Sequence, residues 1–441
     1  MVSVFQCNFG FLVGQKSCEA TFRGNNIMKF RKFTKPQFLK NIGRTLLDKL
    51  FGKYAGDLVA AGKELPAPDA NDDAYFKSLS GVAMMGDGLP DDLFEAMYAI
   101  EEMANEEGQE RLENAPELAA LGLKFDEKSS RGDIALQVFL AAPELLAKKH
   151  NEMRLSRLAS FEYHGCKTPQ DRSASFKAPT KQVLDLLTAD LDEWFKLHHR
   201  GEKSANIDPY ELEGEFWFLV RHGDALARMA KLDKGKLKML HFRPAKDDVV
   251  VYSPQRDEIR IHAGTKGEKE LYRTAFGWRL QGSPDYFSER KAYTLDPLRT
   301  DGPDALSVDG VPEIEKIVLT EFELQWRGGL NDSLVKKSND IFASAKAREK
   351  KAIPDSGNLV RAGFDFYFEG VKKPRKVQIR PWNTLKLGRH CDARAVHEWL
   401  SKRGFRTTMD GNKTPSATVQ GGLTTTSGDG TKNHAEVLAM S

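Results

Sequence analysis

The chain has 441 residues, with 66 Lys and Arg against 63 Asp and Glu, and a formal net charge of +3. Its 40% content of hydrophobic residues excludes a wholly disordered chain and a collagen-like repeat. The 4 cysteines are scattered without a CxxC pair, which argues against a disulfide-stapled miniprotein and a structural zinc site. No apolar run approaches the roughly 18 residues that a membrane span requires. We therefore expect a cytoplasmic protein without a membrane span, a cofactor or a metal ion.

The first half of the chain has helical spacing. Residues 1–27 are predicted to be a poorly structured leader, and a folded part is expected from Met28 onward. Apolar residues recur about every 3.6 positions over 36–62, which predicts an amphipathic helix. Further helices are expected at 74–85, 90–103, 109–122, 133–158 with an interruption near Pro143, and 179–199. Residues 28–205 are therefore predicted to form an all-α helical domain.

The second half has short aromatic and β-branched runs, which are typical of strands. They lie at 216–220, 239–242, 249–252, 258–262, 316–326, 360–368 and 375–379, with helices expected at 224–231, 266–276, 333–347 and 392–404. Two pairs of these runs, around 253–257 and 369–374, are predicted hairpins. The predicted fold class is a two-domain α+β protein, in which a mainly antiparallel α+β domain over 206–406 follows the helical domain. Residues 407–441 are rich in Gly, Ser and Thr and are predicted to be a disordered tail.

One predicted strand ends in Arg221-His222-Gly223, and this string resembles the histidine phosphatase family. The resemblance implies that His222 is a phosphorylated nucleophile and that Arg221 holds phosphate through its guanidinium fork. It also suggests Arg256 as a second phosphate ligand and His262 as a second imidazole of the pocket. The chain departs from the family because only forty positions separate the two histidines, too few for a doubly wound sheet between them. The alternative interpretation is an exposed Arg-His pair at a strand end.

Three other groups of residues are candidate chemical sites. Asp257, Glu258, Glu268 and Lys269 contain the acidic pair and lysine that a metal-dependent nuclease needs, although many solvated turns have the same composition. Neighbouring His198 and His199 point about 100° apart on a helix, so capping of the helix end is favoured over a metal site. Cys391 follows His390, but sequence adjacency does not show an activated thiol.

Charge is distributed unevenly along the chain. Residues 64–128 contain 17 acids and 4 bases, whereas residues 336–406 contain 18 bases and 7 acids. Basic segments attract phosphate, and a following aromatic side chain can stack on a base. The densest basic stretch predicts a nucleic-acid-binding site at Lys372, Lys373, Arg375, Lys376, Arg380 and Trp382. The alternatives are lysines that protect an edge strand, and docking of the acidic segment on the basic one.

These patterns favour a DNA- or RNA-binding accessory protein over an enzyme. Its setting is predicted to be a bacterial antiviral-defence or mobile-element system, with further protein partners in a multi-subunit complex. The alternative function is a phosphohydrolase or metal-dependent nuclease centred on Arg221, His222 and the 248–269 hairpin.

Overall fold

The computed structural model describes residues 32–407, except 85–88, 127, 168–175, 234, 289–290, 327, 372 and 389–392. The predicted leader over 1–27 and residues 408–441 of the predicted tail lie outside the described residues. The described chain combines helices with a large antiparallel sheet, so the α+β class is confirmed. No helix in the described ranges is long and apolar enough to cross a membrane.

Helices make up the first part of the described chain. They are α1 (Pro36–Leu39), α2 (Arg44–Gly52), α3 (Ala55–Ala60), α4 (Asp72–Met84), α5 (Asp91–Met103), α6 (Glu106–Glu113), α7 (Pro116–Ala120), α8 (Arg131–Ala141) and α9 (Pro143–Ser156). Proline opens α1, α7 and α9, where its missing N–H costs no helical hydrogen bond. The interruption predicted near Pro143 is confirmed as the boundary between α8 and α9. Apolar side chains between Phe33 and Met153 form one buried cluster among these helices.

The later part is built on ten strands in one antiparallel sheet. The strands of this sheet are β1 (Ser160–Gly165), β2 (Asn206–Leu212), β3 (Glu215–Gly223), β6 (Ala245–Ser253), β7 (Glu258–His262), β8 (Ile314–Gln325), β9 (Ser333–Lys337), β10 (Asn358–Phe368), β11 (Arg375–Arg380) and β12 (Thr384–Leu387). Two further strands, β4 (Ala227–Asp233) and β5 (Lys236–Phe242), pair with each other in a separate sheet. The order in the large sheet is β2-β3-β6-β7-β1-β12-β11-β10-β8-β9. The predicted hairpins are confirmed, because β6 pairs with β7 and β10 pairs with β11.

Helices and a short 3₁₀ turn complete this part. They are α10 (Lys181–Leu197), α11 (Lys266–Gln281), α12 (Pro297–Thr300), the 3₁₀ turn (Gly302–Leu306), α13 (Ile341–Lys346) and α14 (Ala393–Lys402). Trp399 of α14 is fully buried and its ring lies 5.1 Å from that of Phe366 in β10. A Thr265–Glu268 capping box begins α11. Burial of such aromatic side chains holds these helices on the sheet.

Several predicted elements differ from the structure. The single helix expected over 36–62 is three helices, α1 to α3, and the helix expected over 109–122 is divided into α6 and α7. Residues 160–165, expected within an all-helical range, form the central strand β1 between β7 and β12. Residues 224–231, expected as a helix, contain the start of strand β4. Residues 333–347 hold strand β9 followed by the short helix α13 instead of one helix. Pairing with neighbouring strands decided the last three cases, because a short polar segment has no strong intrinsic preference.

Candidate functional site

The side chains of Arg221 and His222 lie on opposite faces of β3, as neighbours in a strand do. His222 is buried, and its Nε2 atom lies 3.0 Å from a carboxylate oxygen of Asp248. Arg221 instead donates from Nε to Asp247 at 3.0 Å. The two residues therefore do not share one phosphate-binding pocket.

Arg256 and His262, the other two candidates from the phosphatase resemblance, have partners different from those of Arg221 and His222. Arg256 donates to Glu215 at 2.8 Å and to Glu258 at 2.7 Å. His262, at the end of β7, has its Nδ1 atom 2.7 Å from the backbone oxygen of Ser160. Arg221, His222, Arg256 and His262 thus have four separate sets of partners, and the pocket expected from the resemblance is not assembled.

Arg256 belongs to a buried group that we call the arginine cluster, consisting of Glu215, Arg256, Glu258, Arg260 and Arg406. Glu215 is paired with Arg256 and Arg260, and Glu258 is paired with Arg256 and Arg406. Both carboxylates therefore have a guanidinium on each oxygen. Such complete pairing is typical of a structural ion network.

The predicted nuclease residues are also separated from one another. Asp257 accepts hydrogen bonds from Tyr252 at 3.0 Å and Tyr286 at 2.6 Å. Glu258 lies in the arginine cluster, and Lys269 donates to Glu162 of β1 at 2.7 Å. Glu268, the remaining residue of this predicted set, lies near His222, Lys246 and Asp248 instead.

That group, which we call the histidine cluster, consists of His222, Lys246, Asp248, Glu268 and Tyr272. One ligand atom each of His222, Asp248 and Glu268 lies within 4.8 Å of the others, and all three residues are buried. They come from β3, β6 and α11, which meet at the start of that helix. Lys246 and Asp248 share a face of β6 because they are two residues apart.

Hydrogen bonds orient the carboxylates of the histidine cluster. Lys246 donates from Nζ to Glu268 Oε2 at 2.6 Å, and Tyr272 donates to Asp248 Oδ2 at 2.9 Å. Burial alone raises the pKa of Glu268, but the hydrogen bond and charge of Lys246 outweigh it, so that this pKa lies below its ordinary value. Burial and the Asp248 carboxylate raise the pKa of the Tyr272 hydroxyl. Glu268 is therefore held ionised and Tyr272 neutral at neutral pH.

The hairpin β4–β5 leaves the sheet beside this cluster, and we call it the arm. The last paired residues of the sheet there are Gly223 and Ala245, next to the paired His222 and Lys246. Two strands of seven residues extend the arm by about 20 Å. No described residue of either strand is buried.

The arm is both basic and apolar. Its sequence over 227–242 contains five basic residues and one acidic residue. Leu232 and Leu237 face each other near the tip and are 72% and 68% exposed. Large exposed apolar side chains that cluster on one element mark an interaction surface.

The predicted basic stretch lies partly in β11. Lys376 and Arg380 are exposed on one face of that strand, while Arg375 is half-buried on the other. Lys373 is exposed in the preceding turn, and Lys372 lies outside the described residues. Trp382 is 64% exposed after the strand, so Lys376, Arg380 and Trp382 are the exposed part of the predicted site in and after β11.

The minor candidates are also placed by the structure, where it describes them. His198 stacks on Trp194 with ring centroids 3.7 Å apart and has its Nδ1 atom 2.8 Å from the Trp194 carbonyl. His199 has a φ of 58° just after α10. Cys391 and its neighbour His390 lie outside the described residues.

Sequence reasoning missed Lys246, placed Asp248 only at the start of the 248–269 hairpin, and predicted only the 239–242 strand of the arm. The signal for Lys246 and Asp248 was their spacing of two in a strand whose apolar run begins at Val249. The signal for the arm was alternation on both sides of an Asp-Lys-Gly turn at 233–235. No family model and no curated protein matches this chain.

Proposed function

We propose that this chain is a nucleic-acid-binding accessory protein and that its arm contacts duplex DNA. The arm carries the proposal, because it combines basic charge, no buried residue among those described and an apolar tip in one element beside the sheet. Its setting in antiviral defence or a mobile element, and its further protein partners, remain predictions from the sequence.

Electrostatics supports DNA as the ligand of the arm. Arg228, Lys231, Lys236 and Lys238 are exposed along its two strands, with Asp233 as the acidic residue. Each phosphate that these side chains neutralise releases counterions, which favours binding at low salt. A two-stranded ribbon also fits the major groove of B-DNA, about 12 Å wide, better than the narrow major groove of A-form RNA.

The apolar tip supports the same ligand. An isolated two-stranded hairpin is at best marginally stable in water, so a partner surface would stabilise the arm. Leucine and methionine side chains act as wedges between base steps in DNA-bending proteins. Leu232, Leu237 and Met239 lie on one face of the ribbon by strand alternation and could fill that role.

Two finer parts of the sequence prediction belong to this proposal. Lys373, Arg375, Lys376, Arg380 and Trp382, together with Lys372, form a second candidate contact. The helical part is proposed as a separate domain, supported by the apolar cluster that joins Phe33 to Met153. We place its end before β1, because that strand belongs to the sheet.

The test compares three triple charge reversals of equal formal charge. Lys231, Lys236 and Lys238 are changed to Glu in the arm, and Lys373, Lys376 and Arg380 are changed to Glu around β11. Lys124, Lys128 and Lys148 provide the control, since they are exposed in the helical part. We expect the arm variant to bind a 30-base-pair duplex at least tenfold more weakly and to lower the salt slope by about 3.

The result is read by fluorescence anisotropy at several salt concentrations. Equal affinity of the arm variant and the control variant would overturn the placement on the arm. A loss of affinity confined to the β11 variant would indicate that the basic stretch around β11, predicted from the sequence, contacts DNA instead of the arm. No binding by the unmodified chain to duplex or single-stranded DNA or RNA would overturn the function itself.

The alternative function is a phosphohydrolase or metal-dependent nuclease, and one observation favours it. His222, Asp248, Glu268 and Lys246 bring two carboxylates, an imidazole and an ammonium group together. Such a set can hold a cation and position water. Turnover of a generic phosphoester or nicking of plasmid DNA, dependent on magnesium and lost in His222→Ala, would support this function over binding alone.

A further inference from the structure

We infer that His222, Asp248 and Glu268 form a binding site for a divalent transition-metal cation at the base of the arm. The three side chains come from three elements, are all buried, and offer ligand atoms within 4.8 Å of one another. This inference concerns the metal site alone and does not depend on nucleic-acid binding.

The hydrogen bonding of His222 supports the site. Its Nδ1 atom lies 2.9 Å from the Gly223 carbonyl oxygen, which can only accept a hydrogen bond, so Nδ1 carries a proton. In the neutral ring Nε2 is then an acceptor, yet it faces Asp248 Oδ2 at 3.0 Å. Two acceptors at that distance repel each other unless a proton or a metal ion lies between them, and a metal ion bound to both atoms would meet this need.

Glu268 provides a second, independent observation. Its Oε2 atom accepts from the Thr265 backbone N–H at 2.9 Å and from Lys246, as expected for a capping box next to a lysine. Its Oε1 atom is buried without a hydrogen-bond partner, and Arg200 Nη2 is 3.8 Å away. A buried carboxylate oxygen without a hydrogen bond is costly, and a metal ion would satisfy it.

The surroundings hold the ligands in place, as outer partners of metal ligands do. The ring of Phe195 stacks on His222 with centroids 4.2 Å apart and planes at 12°. Tyr272 donates to Asp248 and fixes that carboxylate. The Gly223 carbonyl oxygen fixes the imidazole of His222. His222 and Asp248 therefore each have a defined orientation.

Lys246 explains how the site is stable without a metal. Its ammonium group lies 2.6 Å from Glu268 and 3.4 Å from Asp248, and its side chain is 24% exposed. It therefore neutralises the carboxylates and can swing outward when a divalent cation replaces it. Lysine and metal compete for the same two carboxylates, which predicts that removing the lysine tightens metal binding.

The ligand types select the cation. One imidazole and two carboxylates suit Mn²⁺, Fe²⁺ or Zn²⁺, whereas Mg²⁺ and Ca²⁺ prefer oxygen ligands alone. Mn²⁺ is the probe, because free Mn²⁺ can be counted by electron paramagnetic resonance while the full-length chain is titrated after treatment with a chelator.

We expect one Mn²⁺ per chain, and at least tenfold weaker binding in His222→Gln and in Asp248→Asn. The matched controls are His262→Gln and Asp247→Asn, whose side chains make their contacts outside the cluster. Lys246→Met is expected to bind Mn²⁺ more tightly than the unmodified chain and to show the larger rise in unfolding temperature on adding Mn²⁺. Lys266→Met, in the exposed first turn of α11, should bind like the unmodified chain.

Absence of Mn²⁺ and Zn²⁺ binding by the unmodified chain would overturn the site. Equal binding by the ligand variants and their controls would also overturn it. All titrations are done without nucleic acid, so a failure here is separate from a failure of DNA binding. Far-ultraviolet circular dichroism at the titration temperature identifies any variant that has not folded, and His222→Ala or Asp248→Ala then replaces it.

Discussion

The arginine cluster and the histidine cluster are two ionic groups that both include a residue of β3, and they differ in how their carboxylate oxygens are paired. In the arginine cluster every oxygen of Glu215 and Glu258 is paired with a guanidinium. In the histidine cluster one oxygen of Glu268 has no hydrogen bond, and a flexible lysine supplies the charge. Complete pairing indicates a structural role, whereas incomplete pairing indicates room for a ligand.

The surroundings reinforce this difference. The Arg260 guanidinium lies 5.6 to 5.9 Å from the ring centroids of Phe161, Tyr163 and Trp217, and the residue is 6% exposed. Planar guanidinium groups satisfy fixed carboxylates with little adjustment, whereas an ammonium group on a four-carbon stem can move. Three predictions test the comparison, beginning with the largest expected effect.

Arg260→Ala should lower the free energy of unfolding by about 3 to 5 kcal/mol, because it removes the buried guanidinium that pairs with Glu215 and its contacts with three aromatic rings. Urea unfolding followed by circular dichroism measures the change. Arg394→Ala is the control, since its side chain is 83% exposed beside Glu313, and it should change the stability by less than about 1 kcal/mol. A similar small change for Arg260→Ala would show that the arginine cluster is dispensable.

Lowering the pH should destabilise both clusters, because each contains a glutamate whose pKa is lowered in the folded chain. Burial alone raises the pKa of Glu258, but Arg406 and Arg256 outweigh it and hold this pKa below 4.5, and Lys246 has the same effect on Glu268. The folded chain thus resists protonation more than the unfolded chain does. Stability contributed by these groups is full above the unfolded pKa near 4.5 and falls as the pH drops through the lower folded values.

Lys246→Met should shift this acid loss to higher pH, because it removes the hydrogen bond and charge that do most to lower the pKa of Glu268 against burial. Each unit of pKa change corresponds to about 1.4 kcal/mol. Unfolding temperatures between pH 7 and 3.5 measure the shift, with Lys266→Met as the control. Parallel curves for Lys246→Met and the unmodified chain would mean that Lys246 does not set the charge state of Glu268.

Glu268→Gln should have the smallest effect, a loss of about 1 kcal/mol, because the amide can retain the cap while it loses charge. Thermal unfolding in chelator measures it against Asp133→Asn, which changes the equivalent residue of the α8 capping box. A loss as large as that of Arg260→Ala would remove the contrast between the clusters.

Local patterns made several parts of the fold predictable. The helix break at Pro143 follows from the missing proline N–H, and the β6–β7 and β10–β11 hairpins follow from apolar runs around polar turns. Strand β1 was not predictable, because Ser160–Gly165 is short and its pairing partners lie far along the chain. The arm was predicted only in part: the strand at 239–242 was expected, whereas 224–231 was expected as a helix because its residues suit a helix as well as a strand, and only pairing across the turn decided between them.

The sequence by itself determined that the chain contains helices and antiparallel hairpins and that its charge is divided into an acidic and a basic segment. It also named Arg221, His222 and the 248–269 hairpin as the centre of the alternative function, without deciding which of these residues meet. Only the tertiary structure grouped His222 with Asp248, Glu268 and Lys246, and it joined Glu258 to Arg406, 148 residues away. Strand order and helix docking decide such contacts, and neither can be read from spacing along one chain.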